Sequence, residues 1–493
     1  MGTFTYSDLI ALDLGRLNAA VSDWETMVGN LDRLQAEARD GLLKKSEGAR
    51  WQGVNATVTK DFVRGAAKEF ADLHREAQSI HHVLADAHAE LSQIQKRAKA
   101  LTEEARKGSP DRSPDPDHGL LVTDGGNGTV QVIEAVCDVN GTSQRTRDRM
   151  QWYADTLTGL VAHAAEIDAA VTRALRKSHG GDPHNAGHAT YTSLDEDQLP
   201  RAMKLASLGE DANAGERAEL RRLWQSLSPE ARAELWKARK DDLLAAGLLS
   251  PTVKQIAPDR GSGRHGAEEP TFTEFMTKDK MRMLASGSDW QGMNDASRHM
   301  QHYLENSGEP LDLPVDKMLH DDEGLRIHAE EAIRGKQDGW REQALEEFRR
   351  NGGRPVTIPV ETGNSDYSFP QGTQDNWFYA VGSTRTNVTG VVTVVPGADG
   401  EPKVGLDYQV NAWDRYNWDE GKGVTIGPLS IPDGQPARLH ATGLAQEFDM
   451  QGSSSVKHYD LGSATSNNDP LPAPDDPGRE GTRQDPGRER TKR

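Results

Sequence analysis

The stretch GARWQGVNAT at residues 48–57 decides how the first hundred residues fold. Ahead of it, Leu14, Leu17, Val21, Trp24, Val28 and Leu31 recur at alternating spacings of three and four. Behind it, Ala66, Leu73, Ala77, Ile80, Leu84, Ala87, Leu91, Ile94, Ala98 and Leu101 do the same, with Phe70 filling the gap. Such spacing lines one face of each helix with apolar side chains. The two stripes can bury each other if the chain reverses between them. Gly53 permits the tight backbone path, and Trp51 is expected to cap the open end of the apolar seam. A helical hairpin over residues 1 to about 105 follows.

Beyond it, KGSPDRSPDPDHG (107–119) reads as a Pro-rich linker and LLVTDGGNGTVQVI (120–133) as a β-hairpin turning at Asp124–Gly128. Tyr153, Leu157, Leu160, Ala164, Ile167, Val171 and Ala174 then mark a third amphipathic helix, whose stripe needs the first hairpin as partner. Residues 177–195 form a Gly/His-rich linker, where His179, His184 and His188 lack the carboxylates or cysteines of a metal site. Ser228-Pro229-Glu230 opens a helix within the polar segment 196–250, and 251–270 is a further linker. From 271 to 350 the chain is helical but irregular. It carries a second Trp-x-Gly, Trp290-Gln291-Gly292, behind a helix too short to rebuild the first hairpin.

At 354 the period falls to two. RPVTIPV (354–360), NWFYAVGS (376–383), NVTGVVTVV (387–395) and VGLDYQVNAW (404–413) are predicted strands. Val388, Gly390, Val392 and Val394 should share one face, as should Val404, Leu406, Tyr408 and Val410. VTIGPLSI follows, then a predicted helix over 436–450 and a Pro/Gly/Asp/Arg-rich tail expected to be disordered. The fold class is thus multidomain: an all-α elongated bundle (1–178) with a small β-hairpin insertion, a helical spacer (196–250), a helical segment (271–350), an α+β C-terminal domain with an antiparallel sheet (351–463), and a tail (464–493).

A helix–Trp-x-Gly–helix unit of this length at the N-terminus resembles the WXG100 (ESX) family of type VII secretion substrates. The resemblance rests on Trp51, Gly53 and the two flanking amphipathic helices. It implies export in a folded helical form by an ATP-driven machine, often paired with a second helical hairpin. Tyr191-Thr-Ser-Leu-Asp195 matches the family's Tyr-x-x-x-Asp pattern, which helps recognition by the export ATPase, although here a third helix and a linker precede it.

Composition narrows the functional classes. With 493 residues, a hydrophobic fraction of 35% and mean hydropathy of −0.74, the chain fits helices joined by polar linkers better than one compact enzyme. The net charge of −19 and the absence of a concentrated basic groove argue against a nucleic-acid binder. No apolar run is long enough to span a bilayer, and the N-terminus lacks the basic and apolar regions of a signal peptide. The single cysteine, Cys137, rules out an internal disulfide and reads as a small buried side chain.

Chemistry-bearing residues concentrate at Trp413-Asp-Arg-Tyr-Asn-Trp-Asp-Glu-Gly-Lys422, where a strand ends. Asp414, Tyr416, Asp419 and His440 are the catalytic candidates, with Arg438, Glu447, Asp449 and His458 able to converge on them as acid–base groups. The same residues also suit a solvated loop in which Arg415 and Lys422 neutralise nearby acids. The stretch also resembles the catalytic region of colicin M-type lipid II phosphodiesterases, but departs from it at Asn417 and lacks the His-Arg pair that should follow. In the second helix, His74, His81 and His88 repeat every seven residues, about 10.5 Å apart, too far to share a metal ion. They read as seam-edge residues or as a titratable flank toward a partner.

The resulting expectation is a secreted or cell-surface protein that leaves by a signal-peptide-independent route, built like a polymorphic toxin. Its N-terminal module would engage the type VII machinery and a helical WXG100-type partner, and its C-terminal domain is a candidate antibacterial effector with an immunity protein. No cofactor, metal or nucleic acid is called for. The alternatives are a non-enzymatic secreted surface or ligand-binding protein and a cytoplasmic helical scaffold.

Overall fold

In the computed structural model the first reversal falls between helix α2 (Leu14–Ala36), continued by a π-helical stretch (Glu37–Leu43) and α3 (Lys44–Gly48), and the 54-residue α4 (Val54–Lys107). Residues 4–107, 119–135, 144–178, 190–251, 265–290, 292–397, 400–418, 424–426, 429–431, 434–462 and 471–474 are described. The chain divides into two compact units, Met1–Thr142 with Arg149–Leu248, and Leu249–Arg493 with Ser143–Asp148.

In the first unit, α2 packs along α4 and Gly53 takes φ +108° at the corner, a conformation that side chains disfavour. Trp51 does not cap the seam. Its indole is exposed, and the buried residues nearest the turn are Ala38 and Ala56. The π-helical stretch rotates the end of the first arm relative to the stripe before it, so a cap built on regular helical phase misses its seat.

Burial is concentrated toward the other end of α4. Val83, Leu91, Ile94 and Ala98 pack with Leu157, Val161, Ile167 and Ala174 of α5 (Gln144–Ser178), with Leu9 of α1 (Tyr6–Ala11), and with Leu120, Val130 and Val132 of a β-hairpin. Each fully buried Leu, Ile or Val contributes about 1.5–3 kcal/mol, which makes this the organising core of the unit. The hairpin joins β1 (Leu120–Gly126) to β2 (Thr129–Glu134), with Asn127 and Gly128 at positive φ in its turn. The Gln95 amide donates to the carbonyls of Leu9 (3.0 Å), Ile10 (3.3 Å) and Leu12 (2.9 Å), satisfying the C-terminal end of α1. Helices α6 (Asp195–Ala206), α7 (Ala214–Ser226) and α8 (Pro229–Ala245) belong to this unit, with Ser228 capping α8 as its sequence predicts.

The second unit builds one core from helices and a sheet. Its helices are α9 (Phe272–Trp290), α10 (Asn294–Glu305), α11 (Val315–Asp321) and α12 (Glu323–Arg350), with strand β3 (Leu311–Asp312) between α10 and α11. Strands β4 (Val356–Glu361) and β5 (Ser365–Ser368) are followed by helix α13 (Asp375–Ala380). A long hairpin, β6 (Ser383–Pro396) and β7 (Pro402–Tyr416), forms the centre of the sheet. Its register sets Val388 opposite Val410, Gly390 opposite Tyr408, Val392 opposite Leu406 and Val394 opposite Val404, so the two predicted apolar faces coincide. A short hairpin follows, β8 (Val424–Ile426) and β9 (Leu429–Ile431), then α14 (Gln435–Ala441), β10 (Phe448–Ser453) and β11 (Lys457–Asp460). The main sheet runs β3-β10-β7-β6-β4, with β11 also on β7 and β5 also on β6.

Three further expectations need correction. The sheet is mixed: β3 runs parallel to β10, while its other pairs are antiparallel. The predicted strand over 376–383 is α13, because a helical turn buries Trp377 and Ala380 together and brings the Trp377 indole N–H to Asp321 (3.1 Å). The predicted helix over 436–450 stops at Ala441. Gly443 turns the chain at φ +69°, and Phe448 and Met450 then alternate into the core as a strand. Cys137, the three linker histidines and the tail beyond 474 lie outside the described residues.

Candidate functional site

Strand alternation decides what the end of β7 can do. Asp414 and Tyr416 stand on the same side of the strand as Val410 and Ala412, the side that carries the apolar core. Tyr416 is buried and stacks on Phe448 at 5.0 Å, with Trp418 edge-on at 5.9 Å and Tyr303 at 5.8 Å. Burial raises the Tyr416 phenol above its ordinary pKa, so it stays protonated at neutral pH and cannot serve as a base there.

His440, on α14, is also buried, and its ring packs on His265 at 5.1 Å. Its Nδ1 accepts the Glu447 backbone N–H at 3.2 Å, which places the proton of the neutral ring on Nε2. Tyr303 donates its hydroxyl to the Pro436 carbonyl at 2.9 Å and is raised in pKa by burial and by the Glu447 charge. Tyr416 therefore sits in an aromatic core with Tyr303, Trp418 and Phe448, while His440 is buried against His265. Arg415, pointing the other way, donates to Glu447 (3.2 Å) and Asp449 (3.1 Å). Asp419 lies outside the described residues.

The opposite face of the same sheet carries a run of polar side chains between the buried Val391 and Trp413. Asp407, Gln409 and Asn411 alternate with the core residues of β7, beside Asn387 and Thr389 of β6. Asn411 uses its whole amide: Nδ2 donates to Asn387 Oδ1 (3.0 Å) and Thr389 Oγ1 (2.9 Å), and Oδ1 accepts from Gln409 (2.8 Å) and Ser453 (2.7 Å). Asn387 in turn donates to Glu361 at 2.7 Å, and Thr389 to the Leu249 carbonyl.

Where this face reaches β11, buried Asp407 holds Nδ1 of the exposed His458 at 2.9 Å. Gly405 makes room for the ring, since a Cβ there would lie 2.8 Å from His458 Cε1. A carboxylate on one imidazole nitrogen, with the ring otherwise open to solvent, is the geometry of an oriented general base. Sequence reasoning named His458 but not Asp407. The polar alternation inside GLDYQVNAW was the available signal for the latter.

In the first unit, Tyr191 and Asp195 are structural members of the fold. Tyr191 is buried and its N–H donates to Ser79 Oγ at 2.7 Å, while Leu194 N–H donates to Asp86 at 2.9 Å. Asp195 accepts the Ser228 N–H at 2.9 Å. Nearby, Glu90 is raised to about 7 by burial, opposed by Arg232 and reinforced by Asp195 and Asp86. His163 is lowered to about 4, first by burial and then by Arg232. His74, His81 and His88 are half-buried along α4, and His74 faces Asp32 of α2 at 4.0 Å.

Among the described residues no group of three His, Cys, Asp or Glu side chains could hold a metal ion, and no helix is long and apolar enough to cross a membrane. Searches against protein-family models, curated proteins and solved structures find nothing that matches this chain.

Proposed function

We propose that this is a type VII-type secreted protein, whose helical hairpin serves export and pairing with a helical WXG100-type partner, and whose C-terminal α+β unit is an antibacterial effector. The observation that carries the reading is the reversal at Trp51-x-Gly53, with two long arms packed side by side and Gly53 at φ +108°. The test is the culture supernatant of the source bacterium with its type VII ATPase intact or disabled. Loss of the full chain from the supernatant, with accumulation inside the cell, is expected; an unchanged supernatant removes the reading.

The effector half of the reading rests on the Asp407–His458 pair, since the Tyr416 and His440 side chains are buried. Expression of the full chain in a naïve bacterium should arrest growth, and His458→Ala should relieve the arrest without changing expression level. The second reading, a secreted ligand-binding protein, is favoured by the same exposed His458 imidazole, which Asp407 holds in place at the sheet surface. Harmless expression of both chains would turn the choice toward it.

A further inference from the structure

We infer that the turn end of the α2–α4 hairpin docks on an anionic lipid surface. Two independent features coincide there. Large apolar side chains are left in water: Val54 is 81% exposed, Phe62 75%, Val58 63%, Leu42 56% and Trp51 55%. Around them the charge reverses sign relative to the rest of the molecule. Residues 42–68 carry Lys44, Lys45, Arg50, Lys60, Arg64 and Lys68 against Glu47 and Asp61, in a chain of net charge −19. Arg64 holds both of those carboxylates, Asp61 at 2.8 Å and Glu47 at 3.4 Å, and Asp40 just outside the segment pairs with Arg39 and feels Lys44, so the segment keeps an excess of cations.

The mixture selects the occupant. Exposed aromatic and aliphatic side chains interleaved with Lys and Arg favour the boundary between acyl chains and anionic headgroups, and each cation there adds attraction. Along α4, Lys60 stands about 9 Å and Arg64 about 15 Å from Val54, so an inserted turn would bring these cations to headgroup level. A second copy is disfavoured because two such turns repel each other. A depression beside the turn, lined by Phe62, Gly65, Ala66, Glu69, Phe70 and Leu73, could seat a helical partner. A helix seated there would leave Trp51, Val54 and Val58 uncovered, whereas a fluid bilayer needs no matching groove.

The test uses the full chain and sedimentation with vesicles, and does not depend on whether the protein is exported. Vesicles of phosphatidylcholine with roughly a third phosphatidylglycerol should bind it, pure phosphatidylcholine vesicles should not, and high salt should release it. The triple variant K44E/K45E/R50E should lose binding by roughly tenfold or more. Val58→Ser with Phe62→Ser should weaken binding while leaving its salt dependence in place. Circular dichroism of each variant separates lost docking from lost folding. A dye on Val54→Cys in a Cys137→Ser chain supplies a second readout, and should report an apolar environment only with the anionic vesicles. Equal binding to both vesicles, no binding to either, or binding undiminished in the triple variant overturns the proposal. So does a dye response to an amphipathic helical peptide in place of the vesicles.

Discussion

Helix α4 carries apolar residues along its whole length, yet its two halves live differently. From Ala77 to Ala105 the apolar positions lie against α1, α5 and the β-hairpin and are largely buried. From Val54 to Leu73 the large residues Val54, Val58, Phe62 and Leu73 remain exposed, and no residue of α2 is buried. A two-helix ribbon has too little surface to cover both of its members. A third layer is needed, and α5 with the β-hairpin supplies it at one end only. Periodicity therefore identifies a face that wants covering, while the number of layers decides whether the molecule covers it itself.

The largest effect should come from the covered half. Leu157→Ala, at a fully buried site packed with α4, should lower the stability of the first unit by about 2–5 kcal/mol, measured by urea denaturation. A loss near zero would mean that α5 does not supply the missing layer, and the contrast between the two halves would fail.

Next comes Glu90→Gln, which probes how dry the covered half is. The folded pKa of Glu90 is about 7, above its ordinary 4.5, so the fold prefers the neutral acid. Stability from this group is fully present below pH 4.5 and is lost as pH rises through 7. Glu90→Gln should therefore gain roughly 1–3 kcal/mol at pH 8 and nothing at pH 4. His163 slopes the other way. Lowered to about 4 by burial, it contributes stability above its ordinary 6.5 that is lost as pH falls toward 4. Denaturation of the wild-type and Glu90→Gln chains across this range checks both signs, and a pH-independent difference between them would refute the burial of Glu90.

At the corner between the halves, Gly53→Ala forces a side chain into φ +108° with open space around it, so the cost is backbone strain alone, about 1–2 kcal/mol. Faster hydrogen exchange in residues near the turn, with the α5 contact region unchanged, is the expected signature.

What could be read in the sequence follows the same division. Local chemistry was legible: the helical spacing of α4 and α5, the Asn127-Gly128 turn, the Ser228 cap and the matched faces of β6 and β7. Residues 377–381 misled because an unbroken apolar run suits a strand as well as a helix, and the choice came from the distant partners of Trp377 and the preceding Asn376, namely Asp321 and Asp295. The helix assigned to 436–450 failed because β10 gains its hydrogen bonds from β7, which no local signal announces. For the site, residue type drew attention to Tyr416 and His440, although β7's alternation already put Tyr416 with Val410. The Asp407–His458 pair joins residues 51 positions apart through the β11–β7 register, so only the assembled sheet brings it together.

The smallest expected effect on stability is also the sharpest test of the uncovered half. Phe62→Ala removes a large aromatic ring that is 75% exposed, so it forfeits little burial and leaves no cavity. Surface substitutions of this kind stay within about 0.5 kcal/mol, and alanine's higher helix propensity offsets part of even that. Equal urea midpoints for Phe62→Ala and the wild-type chain are expected, together with higher solubility of the variant, because a water-facing ring promotes association. A loss of about 2 kcal/mol or more would mean that Phe62 is covered in the isolated chain, as a core residue would be. The boundary between the two halves of α4 would then fall before Phe62, leaving Trp51, Val54 and Val58 as the exposed apolar surface of the turn.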